Sequence, residues 1–201
     1  MDENIKEELK RHLKNFENHV ASYTDYGLIK IVDFKNPNTN HYRIRFLFEE
    51  DYCRLHISGD LGHLIATNYK NMCFDGFKDF IHNTGYFESK VDCHDRAFYY
   101  YDEEQAIEDL KNHFEDYDFT LDHPYSSMTP EECRDYTFDE LLKDFSDVNG
   151  FGSLAYNKLS DMDPDCFEYI GSLGRKETLI LDVYMMAFEL AIKQLEEKKE
   201  I

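Results

Sequence analysis

Between residues 28 and 69 the chain changes chemistry with a period of two. In residues 42–48, Tyr42, Ile44, Phe46 and Phe48 alternate with Arg43, Arg45 and Leu47. Successive strand side chains point to opposite faces, so this pattern makes a half-buried strand. Wound as a helix, it would scatter its apolar residues around the axis. The preceding LIKIVDF (28–34) is β-branched and is parted from it by the turn-rich NPNTN at 36–40. A third strand is expected at YCRLHIS (52–58), and a short fourth at 63–69. The gaps are of hairpin length, which makes neighbouring strands antiparallel.

Period 3.6 takes over on either side. Ile5, Leu9, Leu13, Phe16 and Val20 form one stripe and predict an amphipathic helix over residues 3–21. FDGFKDFIHN suggests a short helix with Phe74, Phe77 and Ile81 on one side, and residues 86–90 extend it or start another turn. RAFYYY (96–101) reads as a strand. Asp102 is an N-cap for a helix over 103–114 with Ala106, Leu110 and Phe114 on one face. After a loop around DHPYSSM, Thr129-Pro130-Glu131-Glu132 carries the marks of a helix start, and an interrupted helical pattern continues to Leu159. The last helix, residues 176–198, has the stripe Leu179, Val183, Met186 and Leu190. Together these predict a single α+β domain, a small antiparallel sheet of about four to five strands packed by the N-terminal and C-terminal helices. Its parts run 1–24 (helix), 25–101 (sheet-rich core) and 102–201 (acidic helical part).

Length suits one domain, or one core with an appended subdomain. Apolar residues at 42% and aromatics at 15% supply a core despite a formal charge of -20. The aromatics are 15 Tyr and 16 Phe with no Trp, and Tyr suits strands and interfaces alike. MDENIKEELKRHLK is charged and predicts no signal peptide, and no apolar run approaches the roughly 18 residues of a membrane span. The five cysteines, Cys53, Cys73, Cys93, Cys133 and Cys166, are odd in number and widely spaced, which favours free thiols in a reducing cytoplasm over a disulfide framework.

The charge is concentrated. Residues 102–147 hold sixteen Asp or Glu and three Lys or Arg, a net of -13 in 46 residues. A folded surface with that field repels nucleic acid and membranes and attracts basic proteins. Rows of carboxylates on rigid helices can also imitate a phosphate backbone and occupy a basic channel, with salt-dependent affinity. A solvated face that only maintains solubility is the plainer reading, and the local density exceeds what solubility needs. The expected partner-binding residues are Glu103, Glu104, Glu108, Asp109, Glu115, Asp116, Glu131, Glu132, Asp135, Asp139 and Glu140.

Catalytic and metal signals are weaker. Cys53 with His56, Cys93 with His94, and Cys73 with His63 offer zinc-like ligands, but residues three apart in a strand face opposite ways. Asp161, Asp163 and Asp165 resemble the start of a calcium loop, yet Pro164, Cys166 and Ser172 stand at critical positions, and helix capping fits better. Gly59-Asp60-Leu61-Gly62 suggests a tight turn with Asp60 bonding local amides. A phosphate loop would need a helix downstream, where HLIATNY reads as a strand. Ser58, Ser89 and the cysteines lack a nucleophile frame, while Asp92/Asp95 or residues 102–104 could hold magnesium only beside a basic groove. No cofactor or metal is expected.

Three stretches carry a resemblance: LHISGDLGHLIATNY (55–69), GYFESKVDCHDRAFYYYDEEQAIEDL (85–110) and LDVYMMAFELAIKQL (181–195). They resemble a family of small acidic phage and prophage proteins with a strand-turn S-G-D-x-G, then Y-F-x-x-K-(I/V)-x-C, and a closing helix like Q-M-A-(Y/W)-E-Q-L. Here these are residues 58–62, 86–93 and 185–190, with Met185 where that family often has Gln. The resemblance implies phage origin and supplies no catalytic residues. Small acidic phage proteins are often inhibitors of host defence, the anti-CRISPR proteins among them. The expectation is a cytoplasmic, non-enzymatic inhibitor that binds a basic host protein, such as a CRISPR effector nuclease, without touching nucleic acid or membrane. The alternatives are a small metal-dependent enzyme or a phage assembly module.

Overall fold

The structure, a computed structural model, describes residues 3–122, 127–199 and 201. In chain order the elements are α1 (Glu3–Asn15), β1 (Val20–Asp25), β2 (Ile29–Lys35), β3 (Ile44–Glu49), β4 (Arg54–Gly59) and β5 (Gly62–Thr67). A 3-10 turn (Phe77–Phe80), α2 (Thr84–Glu88), β6 (Val91–His94), β7 (Tyr99–Tyr101), α3 (Glu103–His113) and a second 3-10 turn (Phe119–Asp122) follow. Then come α4 (Pro130–Leu142), β8 (Phe145–Ser146), β9 (Gly150–Phe151), α5 (Ser153–Met162), 3-10 turns at Cys166–Glu168 and Ile170–Ser172, β10 (Arg175–Glu177) and α6 (Ile180–Lys198). This is a mixed architecture of helices and antiparallel strands, α+β in class. Part of the expected loop around residues 122–128, namely 123–126, lies outside the described residues. No helix of the described residues is long and apolar enough to cross a membrane.

The chain forms two compact units. The first, Met1–Phe98 with Leu179–Ile201, is a six-stranded antiparallel meander, β1 to β6 in sequence order. Its buried face carries Val32, Phe34, Ile44, Phe46, Phe48, Leu55, Ile57 and Leu64. Phe188 of α6 packs edge-on against Phe46, Phe48 and Phe77 with ring centroids 4.8–5.9 Å apart. Burying Phe rings of this size stabilises by about 1.5–3 kcal/mol each.

Six strands exceed the expected four to five, for two physical reasons. The stripe predicted for residues 3–21 overruns the helix. α1 ends at Asn15, Phe16 turns into the core, and Val20 opens an edge strand, VASYTD, whose β-branched residues suit a sheet. Leu13 and Val20, both expected to be buried, are each 44% exposed. β6 is a four-residue strand with one apolar aliphatic side chain, too short to show a period. Tyr42 also departs from its predicted strand: it sits in a left-handed conformation (φ 56°) ahead of β3. Residues 77–80 form a 3-10 turn; Phe74 and Phe77 are buried as anticipated, Phe80 is buried as well, and Ile81 is half-buried against the same core.

β1 is an edge strand, and an unpaired edge invites association. Here α6 covers it with polar side chains. Gln194 accepts from the Ala21 amide through Oε1 and donates to the His19 carbonyl through Nε2, both at 2.9 Å. Lys198 donates to the Ala21 carbonyl at 3.1 Å. Gln194→Leu strands two backbone groups and is expected to cost about 2 kcal/mol, read by urea denaturation. An unchanged midpoint would show that water replaces both bonds.

His19 is 3% exposed in the same region, and burial lowers its pKa below 6.5. Its Nε2 lies 3.1 Å from the Tyr42 carbonyl, which only accepts, so Nε2 bears the proton, and Nδ1 is buried with no hydrogen-bond partner within bonding distance among the described residues. A histidine held neutral in the fold makes the unfolded state the better proton acceptor. Stability from this group is therefore full above pH 6.5 and falls as pH drops through that value. The melting temperature should drop from pH 7 to pH 5.5 less in His19→Gln than in the parent. Equal drops would assign the acid sensitivity elsewhere.

The second unit, Tyr99–Thr178, is largely helical. Its core gathers Leu110, Phe114, Phe119, Phe138, Leu141 and Leu159 from three helices and a turn. β7 pairs with β10, and β8 with β9, as short antiparallel ribbons. The last helix therefore begins at Ile180 rather than 176, because Arg175–Glu177 is the strand β10. Its buried face is also broader than predicted. Leu181, Tyr184, Met185, Phe188, Ala191 and Leu195 line it, while Met186 and Leu190 sit half-buried at the margin.

Candidate binding surface

The net charge divides unevenly between the units. The second holds twenty-one Asp and Glu against six Lys and Arg, a net of -15 in 80 residues. The first, with twenty-one against sixteen, is at -5 in 121. Two helices display most of the expected partner-binding residues.

α4 starts on a capping box. The Thr129 hydroxyl accepts from the Glu132 amide at 3.3 Å, and the Glu132 carboxylate accepts from the Thr129 amide at 2.7 Å. Pro130 occupies the first turn, where its lost N–H goes unused. Cys133, Thr137, Phe138 and Leu141 face the core. That leaves Glu131, Asp135 and Asp139 on the exposed side at i, i+4 and i+8, a rise of about 6 Å per step. α3 is capped by Asp102, whose side chain accepts from the Gln105 amide at 2.9 Å. Ala106 and Leu110 are buried, and Glu103, Glu104 and Glu108 are exposed, as are Glu115 and Asp116 just beyond the helix.

Three of the eleven carboxylates also fasten the fold. Asp109 is half-buried and accepts from the Gly174 amide at 2.8 Å and from Gln105 at 2.9 Å. Glu132 closes the capping box. Glu140 is paired with Lys143, which holds the Glu140 carboxyl below and the Lys143 ammonium above their usual ranges. Asp135 lies 2.8 Å from Arg134. Glu103, Glu104, Glu108, Glu115, Asp116, Glu131 and Asp139 form no ion pair among the described residues. Like charges at i, i+4 cost a helix about 0.2–0.5 kcal/mol per pair, so Glu104/Glu108 and Asp135/Asp139 weaken the helices that carry them.

The other candidate residues have local duties. Asp60, expected to bond its own turn, instead accepts from the Tyr42 amide at 3.0 Å, while its amide donates to the Arg43 carbonyl at 2.9 Å. It thus pins the 36–43 loop to the β4–β5 hairpin. Asp95 accepts from the His63 amide at 2.7 Å, and this bond with the His63 ring contact (3.1 Å) lowers its pKa. Asp102 is paired with Lys176 at 2.9 Å. Asp163 accepts from the Asp165 amide (3.0 Å) and the Tyr169 hydroxyl (3.1 Å) and meets His113 Nε2 at 3.2 Å, which lowers its pKa and makes it a turn fastener. His56 and Cys93 occupy one cross-strand row with Ile65 between them. Among the described residues no three His, Cys, Asp or Glu side chains meet in a metal-binding group. All five cysteines are unpaired.

One grouping was not legible in the sequence. On the face of the first unit's sheet opposite the Phe core, Asp33, Arg45, Ser58 and His63 stand in one row across β2 to β5. Lys35 and Arg43 flank it two residues along their own chains. The periodicity that predicted the strands contains the necessary signal, but only the register assembles it.

No protein-family model matches this chain, and no curated protein or solved structure matches it.

Proposed function

We propose that this protein is a stoichiometric inhibitor that sets the carboxylate rows of its second unit against a basic, nucleic-acid-binding surface of a host defence protein. One observation carries the reading: three quarters of the net charge resides in one compact unit, whose two acidic helices expose like charges one turn apart at Glu104/Glu108 and Asp135/Asp139, where they cost stability. Solubility alone is served by scattered charge of both signs. A rigid display of unpaired carboxylates complements a channel built for phosphates, and it would leave the inhibitor unattracted to nucleic acid itself. The resemblance to acidic phage proteins supports a target among host defence nucleases, CRISPR effectors included, in the host cytoplasm.

The test is capture from host lysate at about 50 mM salt, followed by elution at increasing salt. The reading expects one large basic protein, retained in equimolar amount and released as salt rises. That protein, purified, should lose nucleic-acid binding when this chain is added. Retention that survives about 1 M salt, or a captured protein that still binds nucleic acid, would overturn it.

A further inference from the structure

The first unit holds a second surface of opposite character. All helices of this unit that touch the sheet pack on its Phe46/Phe48 side, so the alternate residues of β2 to β5 point the other way. There Asp33, Lys35, Arg43, Arg45, Ser58, Gly59 and His63 line a pocket of about 300 Å³. Three guanidinium or ammonium groups and an imidazole converge on it against one carboxylate, in a chain with nearly two acids for each base.

Their arrangement is prepared for an anion. Asp33 takes the Arg45 fork through two bonds, Nε to Oδ1 at 2.7 Å and Nη2 to Oδ2 at 2.8 Å, so Arg45 is oriented before any ligand arrives. Asp95 fixes the His63 ring from outside the pocket. Lys35 and Arg43 form no ion pair among the described residues, and the Ser58 hydroxyl has no hydrogen-bond partner among them. Gly59 adds no side chain at the pocket's end. Two uncommitted cations and a hydroxyl are what a doubly charged, multi-oxygen group requires.

We infer that this pocket binds a single phosphate group, carried by a small phosphomonoester or as the free ion. A long polyanion is disfavoured by the field of a chain at -20, whereas one phosphate feels mainly the local cations within a Debye length of about 10 Å. The site is independent of the acidic surface and of the inhibitor reading.

Titration of the ¹⁵N-labelled protein with inorganic phosphate at low ionic strength, followed by amide shifts, tests the assignment. Saturable shifts confined to Arg43, Ser58, Gly59, His63 and their neighbours are expected. Lys35→Ala combined with Arg43→Ala should weaken binding at least about tenfold while other amide shifts stay in place. A parallel titration with a 5′-mononucleotide separates the sources. Tighter binding than phosphate identifies a phosphomonoester, and equal affinity identifies the free ion. Unchanged affinity in the double variant, shifts centred elsewhere, an equal response to chloride, or preference for a single-stranded oligonucleotide would each overturn the inference.

Discussion

Gly59→Ala is expected to destabilise the sheet-bearing unit by more than about 4 kcal/mol, an exceptional loss for one substitution that here has a specific cause in backbone overlap. A Cβ at this position would lie 1.9 Å from the Arg43 carbonyl oxygen and 2.9 Å from its carbon. Those are backbone atoms of the chain entering β3, which cannot swing aside as a side-chain tip can. The same carbonyl accepts from the Asp60 amide at 2.9 Å, so relieving the collision breaks the bond that holds the β4–β5 turn against the start of β3. Asp60 would then release the Tyr42 amide, and the damage would spread to the 36–43 loop. Gly85→Ala in α2 is the control, since a Cβ there meets nothing within 4 Å and alanine favours a helix. Urea denaturation of the three proteins decides. A Gly59→Ala midpoint close to the parent's would mean that β3 and β4 can separate without cost, contrary to the packing described.

Glu108→Lys, Glu115→Lys, Asp116→Lys and Asp139→Lys together should abolish capture of a basic partner while leaving the melting temperature unchanged or slightly higher. Each of these side chains is exposed and outside the first helical turn, so none acts as a cap. Four reversals change the charge of the second unit by +8, from -15 to -7. An electrostatic complex loses affinity steeply with such a change, whereas the fold loses only like-charge repulsion. Asp109, Glu132 and Glu140 are left alone because each is tied to the fold, and reversing them would confuse unfolding with lost recognition. Binding that survives the quadruple variant with the fold intact would dismiss carboxylate mimicry and turn attention to the aromatic surface, where Tyr26, Tyr52 and Tyr69 are 66–95% exposed.

Long periodic segments were legible because their residues obey one local rule. β3 and α6 could be read from spacing, and so could the start of α4, where Thr129, Pro130 and Glu132 act within a single turn. β1 could not, since Phe16 and Val20 fit a helical stripe as well as they fit the bend and strand they form. Short ribbons such as β8–β9 and β7–β10 contain too few residues to show a period. At the candidate surface, exposure of Glu108 and Asp139 followed from the Leu and Phe stripes beside them. The structural duty of Asp109 depended on Gly174, 65 residues away, and no local pattern announces such a bond.

Charge and periodicity are properties of neighbouring residues, so the sequence alone determined the acidic character of residues 102–147, the antiparallel hairpins and the capped helices. Which carboxylates fasten the fold and which remain free depended on partners distant in the chain. So did the division of a charge of -20 into a strongly acidic unit and a nearly balanced one. The convergence of Lys35, Arg43, Arg45, Ser58 and His63 on one pocket was likewise decided only by tertiary structure. Strand register sets which side chains share a row, and register is fixed by burial of the opposite face.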